Sequence, residues 1–304
     1  SVRKAPNPYR GKRHLATRPR SIESGAMPDD RASRTIGCAM RHTQVLVIGG
    51  SGFIGRYVVN FLIERGCRVL VPARRRDKAK HLIVFPTCDV VEASIHDDAQ
   101  LDRLVAGQHA VINLVGILQG SAADFARAHS DLTRRVVDAC QRHKVRRYLH
   151  MSALGADPNG PSKYQRSKGE AEAHVRASHL DWTIFRPSVV FGPEDRFLNT
   201  FAKLAALAPV IPLAGAEVRF QPVWVEDVAR AFVNALDNPA TFGKSYELAG
   251  PKVYTLRQLV EFAAAAGGHP RKVIGLPDGV ARLQARLMEL APGEPLLSQD
   301  NLDS

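Results

Sequence analysis

Cysteine is scarce in this 304-residue chain, and none of the four (Cys38, Cys67, Cys88, Cys140) forms a C-x-x-C pair. That spacing argues against a disulfide-stapled scaffold and a zinc ribbon, so the sequence predicts no metal and a reducing compartment. Long apolar runs are missing too. The best window, 201–218, is interrupted by Lys203, Pro209 and Pro212, well short of the roughly 18 apolar residues a spanning helix needs, so no transmembrane segment is expected. Acidic charge is the minority sign, with 30 Asp and Glu against 42 Lys and Arg. Half of the resulting +12 lies in residues 1–39, where nine Lys and Arg face three Asp and Glu. The remaining body is only mildly basic, and no nucleic-acid partner is expected.

Residues 1–39 are also poor in apolar side chains and carry Pro6, Pro8, Pro19 and Pro28, which disfavours helix and strand alike. Three readings compete: a basic nucleic-acid arm, an organelle-targeting segment, and translated sequence upstream of a true start at Met40. The last is favoured because Met40 stands four residues before the first strand signal and the tail shows no amphipathic pattern. The segment is expected to be a disordered or non-native tail outside the fold.

The chain is 45% hydrophobic, and its body beyond Met40 can bury a large core without staples. Strand signals at 44–48, 68–71, 89–93, 110–114, 147–151 and 182–185 alternate with helical stretches at 53–65, 99–106, 122–143 and 163–177. Such alternation predicts an α/β fold of Rossmann type, a doubly wound parallel sheet over residues 40–192. Ligands in these sheets bind at the carboxyl ends of the strands, where the strand order reverses.

The chain is organised around V-L-V-I-G-G-S-G-F-I-G at 45–55. Gly49 permits the turn off the strand, Gly52 lets backbone approach a pyrophosphate, and Gly55 lets the helix pack on the sheet. With Ser51, Phe53 and Ile54 they are the candidate phosphate-binding residues, since the free N–H groups of a helix start favour an anion. Ile54, Tyr57, Val58, Phe61 and Leu62 mark the buried face of the helix. After the second strand comes Arg74-Arg75-Arg76, where an NAD-specific site places a carboxylate for the ribose 2′-hydroxyl. Guanidinium groups suit a 2′-phosphate, so NADP(H) is preferred over NAD(H), with Arg74 and Arg75 as the contacts. Leu114, Val115 and Gly116 end the fourth strand and are placed to pass the nicotinamide half of the cofactor. Ser152 ends the fifth. Twelve residues on, Tyr164 and Lys168 form Y-x-x-x-K, whose helical spacing puts phenol and ammonium on one face. Lys168 would hold the nicotinamide ribose and stabilise a tyrosinate, and Ser152 would orient a carbonyl or hydroxyl. His150 shares a strand face with Ser152 and is read as core.

Taken together these residues resemble the short-chain dehydrogenase/reductase superfamily. Arg186-Pro187-Ser188-Val189-Val190-Phe191-Gly192-Pro193 is similar to the nicotinamide-lining segment of its extended, sugar-nucleotide-modifying branch, which implicates Pro187. The nearest resemblance is to the atypical group typified by the accessory nucleotide-binding subunit of respiratory complex I, carried by G-R-Y-V-V-N-F-L (55–62), V-L-V-P-A-R (69–74), Y-Q-R-S-K (164–168), F-G-P-E-D-R-F-L-N-T-F-A (191–202) and Q-P-V-W-V-E-D-V-A (221–229). It implies an adenine contact near the end of the third strand, which falls here on Ser94 or Ile95. It also implies a catalytic asparagine early in the long helix after the fourth strand, where this chain reads Ala128-His129-Ser130-Asp131.

Residues 193–304 are expected to form a small mixed lobe interleaved with the sheet and cut short at its C-terminus. Thr255 to Gln258 is a capping box opening a helix, and 280–290 carries an apolar stripe. The resemblance implies an NADP(H) holder with a structural or sensing role beside a membrane-associated respiratory complex or a quinone. The alternative is an NADP-dependent reductase, epimerase or dehydratase on a small carbonyl or sugar nucleotide, although the lobe lacks an evident cationic cluster for a diphosphate. The expected location is the bacterial cytoplasm, peripheral at the inner membrane, or the mitochondrial matrix if the tail is a targeting segment.

Overall fold

Alternation of apolar strands with amphipathic helices produces the expected sheet in the computed structural model, which describes residues 41–276. The basic tail and the stripe at 280–290 lie outside the described residues. Strands β1 (Gln44–Ile48), β2 (Arg68–Ala73), β3 (Cys88–Glu92), β4 (Ala110–Asn113), β5 (Arg147–Met151), β6 (Asp181–Pro187) and β7 (Lys244–Leu248) form one seven-stranded sheet in the order 7-6-5-4-1-2-3. Every pairing is parallel. The chain leaves β1 toward β2 and β3 on one side and returns to β4 on the other. The order therefore reverses between Ile48 and Asn113, and a crevice opens there.

Central strands buried on both faces read as continuous apolar runs, and Val45 to Ile48 are all fully buried. Val45 and Val47 face helix α1 (Phe53–Glu64) and a later helix, Val225–Ala235, whereas Leu46 and Ile48 face the helices Asp98–Val105, 122–142 and Lys163–Arg176. On α1 the residues most deeply placed are Gly55, Val58, Val59 and Leu62. Ile54, Tyr57 and Phe61 pack at the margin of that face.

Three features depart from the pattern expected of the sequence. The fourth strand stops at Asn113 because its side-chain Oδ1 accepts the Val115 N–H at 3.1 Å, turning the backbone out of the ladder. The long helix at 122–142 contains a π-helical stretch, Ala126–Asp131. A seventh strand, β7, joins β6 by register Tyr246 to Phe185.

Beyond Gly192, helices Phe197–Leu207 and Leu256–Ala266 and the parallel pair Val210–Leu213 and Lys272–Gly275 enclose a separate cluster that includes Phe201, Ile211, Leu213, Val260 and Val273. Thr255 and Gln258 form the reciprocal capping box, and Leu256, Leu259, Val260 and Ala263 are buried beneath it.

Arg147 anchors the amino end of β5 from inside. Its guanidinium donates to Leu236 O (2.9 Å), Ala235 O (2.5 Å) and Asp181 O (2.6 Å), closing the C-terminus of helix Val225–Ala235. It also lies 4.5 Å from the Phe242 ring centroid. Arg147→Met would leave those carbonyls unsatisfied, and urea unfolding is expected to show a loss of about 3 kcal/mol. A midpoint equal to that of the unmodified protein would contradict this anchoring.

Candidate functional site

The glycine turn sits at the crevice. Gly49 has φ +84°, a left-handed value that favours glycine, and a Cβ there would meet Leu114 C at 3.2 Å and Val115 N at 3.3 Å. The turns after β1 and β4 are thus in direct backbone contact. Gly52 is exposed at the N-cap of α1, and a Cβ on it would find only Gly49 O, at 3.2 Å. Its outward side is clear. Helix α1 has no side-chain cap, and its first hydrogen bond runs from Arg56 N–H to Gly52 O. The N–H groups of Phe53, Ile54 and Gly55 therefore lack helical acceptors beside the partly buried Ser51, and the positive end of the helix faces the crevice. These features fit a dinucleotide pyrophosphate.

At the end of β2 the three arginines are exposed but differ in engagement. Arg75 donates to Asp77 at 3.1 and 2.7 Å. Among the described residues Arg74 makes no ion pair. It stands close enough to His96, in the loop after β3, to help depress that histidine's pKa, after burial and the charges of Arg127 and Arg135. Ser94, exposed in the same loop, accepts the His96 N–H on its Oγ and donates its own N–H to Gln100.

Opposite the glycine turn, the capped helix Lys163–Arg176 carries Tyr164 and Lys168. Lys168 is 2% exposed, and its ammonium donates to Val115 O at 3.3 Å and Met151 O at 3.2 Å. It binds together the ends of β4 and β5. Burial lowers its pKa to about 8, partly countered by the Glu172 carboxylate. Tyr164 is half-buried as a residue, and burial raises its pKa to about 12. A Cβ on Gly116 would lie 3.2 Å from Lys168 Nζ, so Leu114, Val115 and Gly116 form the floor beside the ammonium.

Ser152 is buried, its Oγ closed to solvent on the side of Glu172. Glu172 is itself buried and clamped by Arg186 at 2.8 and 2.7 Å and by Arg176 at 2.7 Å. Burial alone would raise the Glu172 pKa, but these partners bring it below the ordinary carboxylate value. Arg186 thus ties β6 to the helix of the dyad. Pro187, buried at the end of β6, accepts the Leu154 N–H at 3.0 Å.

Two residues at this end of the sheet were outside the sequence-based site. Asn113 shapes the β4 turn, and its Nδ2 donates to Tyr148 Oη at 3.2 Å. His129, in the π-helical stretch, accepts the Ile117 N–H at 3.0 Å, with its other nitrogen 2.8 Å from Ser167 Oγ. The asparagine at the end of an apolar strand was a readable turn signal. Nothing in the sequence marked the π-helical register that turns His129 inward. Among the described residues there is no group of three His, Cys, Asp or Glu side chains placed to hold a metal, and no helix is long and apolar enough to cross a membrane.

Residues 49–239 match the family model described as NAD(P)H-binding. The chain is 31% identical over 291 residues to NADH dehydrogenase [ubiquinone] 1 alpha subcomplex subunit 9, mitochondrial, of Rattus norvegicus, spanning 93% of this chain and 76% of that protein. It is 29% identical over 235 residues to the ceramide reductase of Caulobacter vibrioides, covering 77% and 74% of the two. Among solved structures, DesIV, a dTDP-glucose 4,6-dehydratase from Streptomyces venezuelae with NAD and TYD bound, shares the fold with a TM-score of 0.69 at 21% identity, over 78% of this chain and 85% of that one. The span 49–239 includes the glycine turn, the arginine loop and the Tyr164–Lys168 helix, and the chain belongs to the NAD(P)H-binding family that includes the alpha subcomplex subunit 9 of NADH dehydrogenase.

Proposed function

We propose that the protein holds NADP(H) without turning it over, as a nucleotide-bearing subunit of a membrane-associated NADH dehydrogenase assembly. The observation that carries this reading is the setting of Lys168. An ammonium has three donors, and two of these are committed to Val115 O and Met151 O. The third remains for a ribose hydroxyl, which makes the side chain a grip on the cofactor. Tyr164, with its pKa raised to about 12, is a weak proton donor for chemistry near neutral pH.

The preferred cofactor is NADP(H), with Arg74 on the 2′-phosphate and Arg75 retained by Asp77. The pyrophosphate lies over Gly52 and the first turn of α1, the adenine toward Ser94, and the nicotinamide toward Gly116 and Pro187. The region after Gly192 acts as a small lobe over the cofactor. Titration calorimetry is expected to show NADPH binding about 10- to 100-fold tighter than NADH, the worth of one charge-assisted bond to phosphate. Arg74→Ala should erase most of that preference, and Arg75→Ala should leave it nearly intact. Equal affinities of the unmodified protein for the two cofactors would remove the arginine argument. Co-migration of the tagged protein with NADH dehydrogenase on native gels is expected, and its consistent absence from that assembly would overturn the subunit reading.

A second reading, an NADPH-dependent reductase of a lipophilic carbonyl, is favoured by one local feature. Leu118 and Leu154 follow β4 and β5 at the Tyr164 end of the sheet and are 69% and 44% exposed, an apolar approach to a partly exposed tyrosine. The similarity to ceramide reductase lends this reading support.

A further inference from the structure

His129 lies where three segments meet, and it is 1% exposed. Its Nε2 accepts the Ile117 N–H, so that nitrogen carries no proton and the ring proton sits on Nδ1, from which it is donated to Ser167 Oγ. The Ser167 hydroxyl then donates to Tyr164 O at 2.9 Å. The imidazole also meets the Tyr164 ring edge-on, centroids 5.6 Å apart, and the Phe125 ring at 5.7 Å. A Cβ on Gly116 would stand between it and the dyad, 3.8 Å from His129 Nε2 and 3.2 Å from Lys168 Nζ.

We propose that His129 is a positioning residue for the nicotinamide half of the cofactor, a neutral ring that fastens the 115–117 turn to the helix bearing Tyr164 and Lys168. Both of its nitrogens are committed to protein groups, so it fixes the floor of the site and passes no proton. Burial and the neighbouring Lys168 charge hold its pKa down to about 2, consistent with a ring that stays neutral in the working range. The π-helical turn Ala126–Asp131 is what directs it inward. The inference rests on the reading that the nicotinamide half of the cofactor lies beside Gly116.

The test compares NADPH with 2′,5′-ADP, which shares the adenosine and 2′-phosphate but lacks the nicotinamide half. His129→Phe keeps a ring and removes both nitrogens, leaving the Ile117 N–H without its acceptor. NADPH affinity is expected to fall roughly tenfold while 2′,5′-ADP affinity is unchanged. Ser167→Ala should produce a smaller loss with the same selectivity. An equal loss for both ligands would show a merely structural role, and no loss for NADPH would remove the role altogether. Either outcome overturns the proposal. Should His129→Phe fail to fold, the nitrogen NMR signals of His129 in the unmodified protein decide the matter: protonation at Nδ1 alone is expected, and a proton on Nε2 overturns it. Failure of the unmodified protein to bind either ligand would bring down the dinucleotide reading, and this inference with it.

Discussion

Gly55→Ala is expected to abolish measurable NADPH binding and to lower the stability of the protein by about 3 kcal/mol or more, the upper range for overpacking a rigid core. A Cβ at this position would stand 2.2 Å from Gly49 O and 2.6 Å from Gly50 Cα. Those are backbone atoms of the turn itself, with no side chain to swing aside. The turn or the helix must move, and either movement displaces the uncapped N–H groups at the start of α1. Gly52→Ala is a useful contrast, because the added methyl would meet only Gly49 O at 3.2 Å and otherwise project into the crevice. It should leave urea unfolding nearly unchanged while weakening NADPH, since it obstructs the ligand and not the fold. A Gly55→Ala protein with ordinary stability and affinity would mean that the helix can separate from the turn freely.

Lys168→Ala is expected to weaken NADPH by about 10- to 100-fold, the scale of a hydrogen bond from a buried charged donor. Tyr164→Phe should weaken it only a few-fold. The lysine also predicts a pH dependence. In the free protein its pKa is depressed to about 8 by burial, below the ordinary lysine value of 10.5. Between those two values the unfolded chain holds the proton that the folded chain has lost. The free protein should therefore gain stability as pH rises from about 8 toward the ordinary lysine range, and below pH 8 it carries the full cost of the buried charge. Cofactor binding has the opposite sign, because a ribose hydroxyl is held best by the ammonium. NADPH affinity should fall as pH rises through about 8, and the Lys168→Ala protein should lack that fall. A pH-independent NADPH affinity in the unmodified protein would place Lys168 outside the cofactor site.

The sheet was legible in the sequence because its central strands are buried on both faces and its helices are amphipathic. Val45 to Ile48 and Ala110 to Ile112 could hardly be exposed, and the glycine turn comes at once after the first of them. The seventh strand was hidden for the opposite reason. Lys244–Leu248 lies at the sheet edge with no fully buried residue, so no apolar run announces it. Helix Val225–Ala235 does carry a signal, with Val225, Val228, Ala229, Phe232 and Val233 all buried at helical spacing. Part of it coincides with the segment at 221–229 that bears the family resemblance, which masks its packing role.

The candidate site was legible where chemistry depends on residue type and local spacing. Gly49, Gly52 and Gly55, and Tyr164 with Lys168, are of that kind. What depends on long-range burial was not. Arg74 and Arg75 are equivalent in sequence, and the Asp77 ion pair of Arg75 and the nearness of Arg74 to His96 separate them. The burial of Ser152 on the side of Glu172, and the clamp of Glu172 to Arg186 from another element, have no local signal in the sequence. His129 gained its place from the π-helical turn, a change of register that no local periodicity encodes.

A grip on the cofactor without turnover is the role proposed for the Tyr164–Lys168 pair. It is tested most directly by following NADPH absorbance with the purified protein in the presence of lipophilic ketones, quinone analogues and sugar nucleotides, beside Tyr164→Phe as the control. Bound NADPH is expected to persist with every compound, at the same slow background rate in both proteins. Substrate-dependent NADPH oxidation that vanishes in Tyr164→Phe would contradict it and establish the reductase.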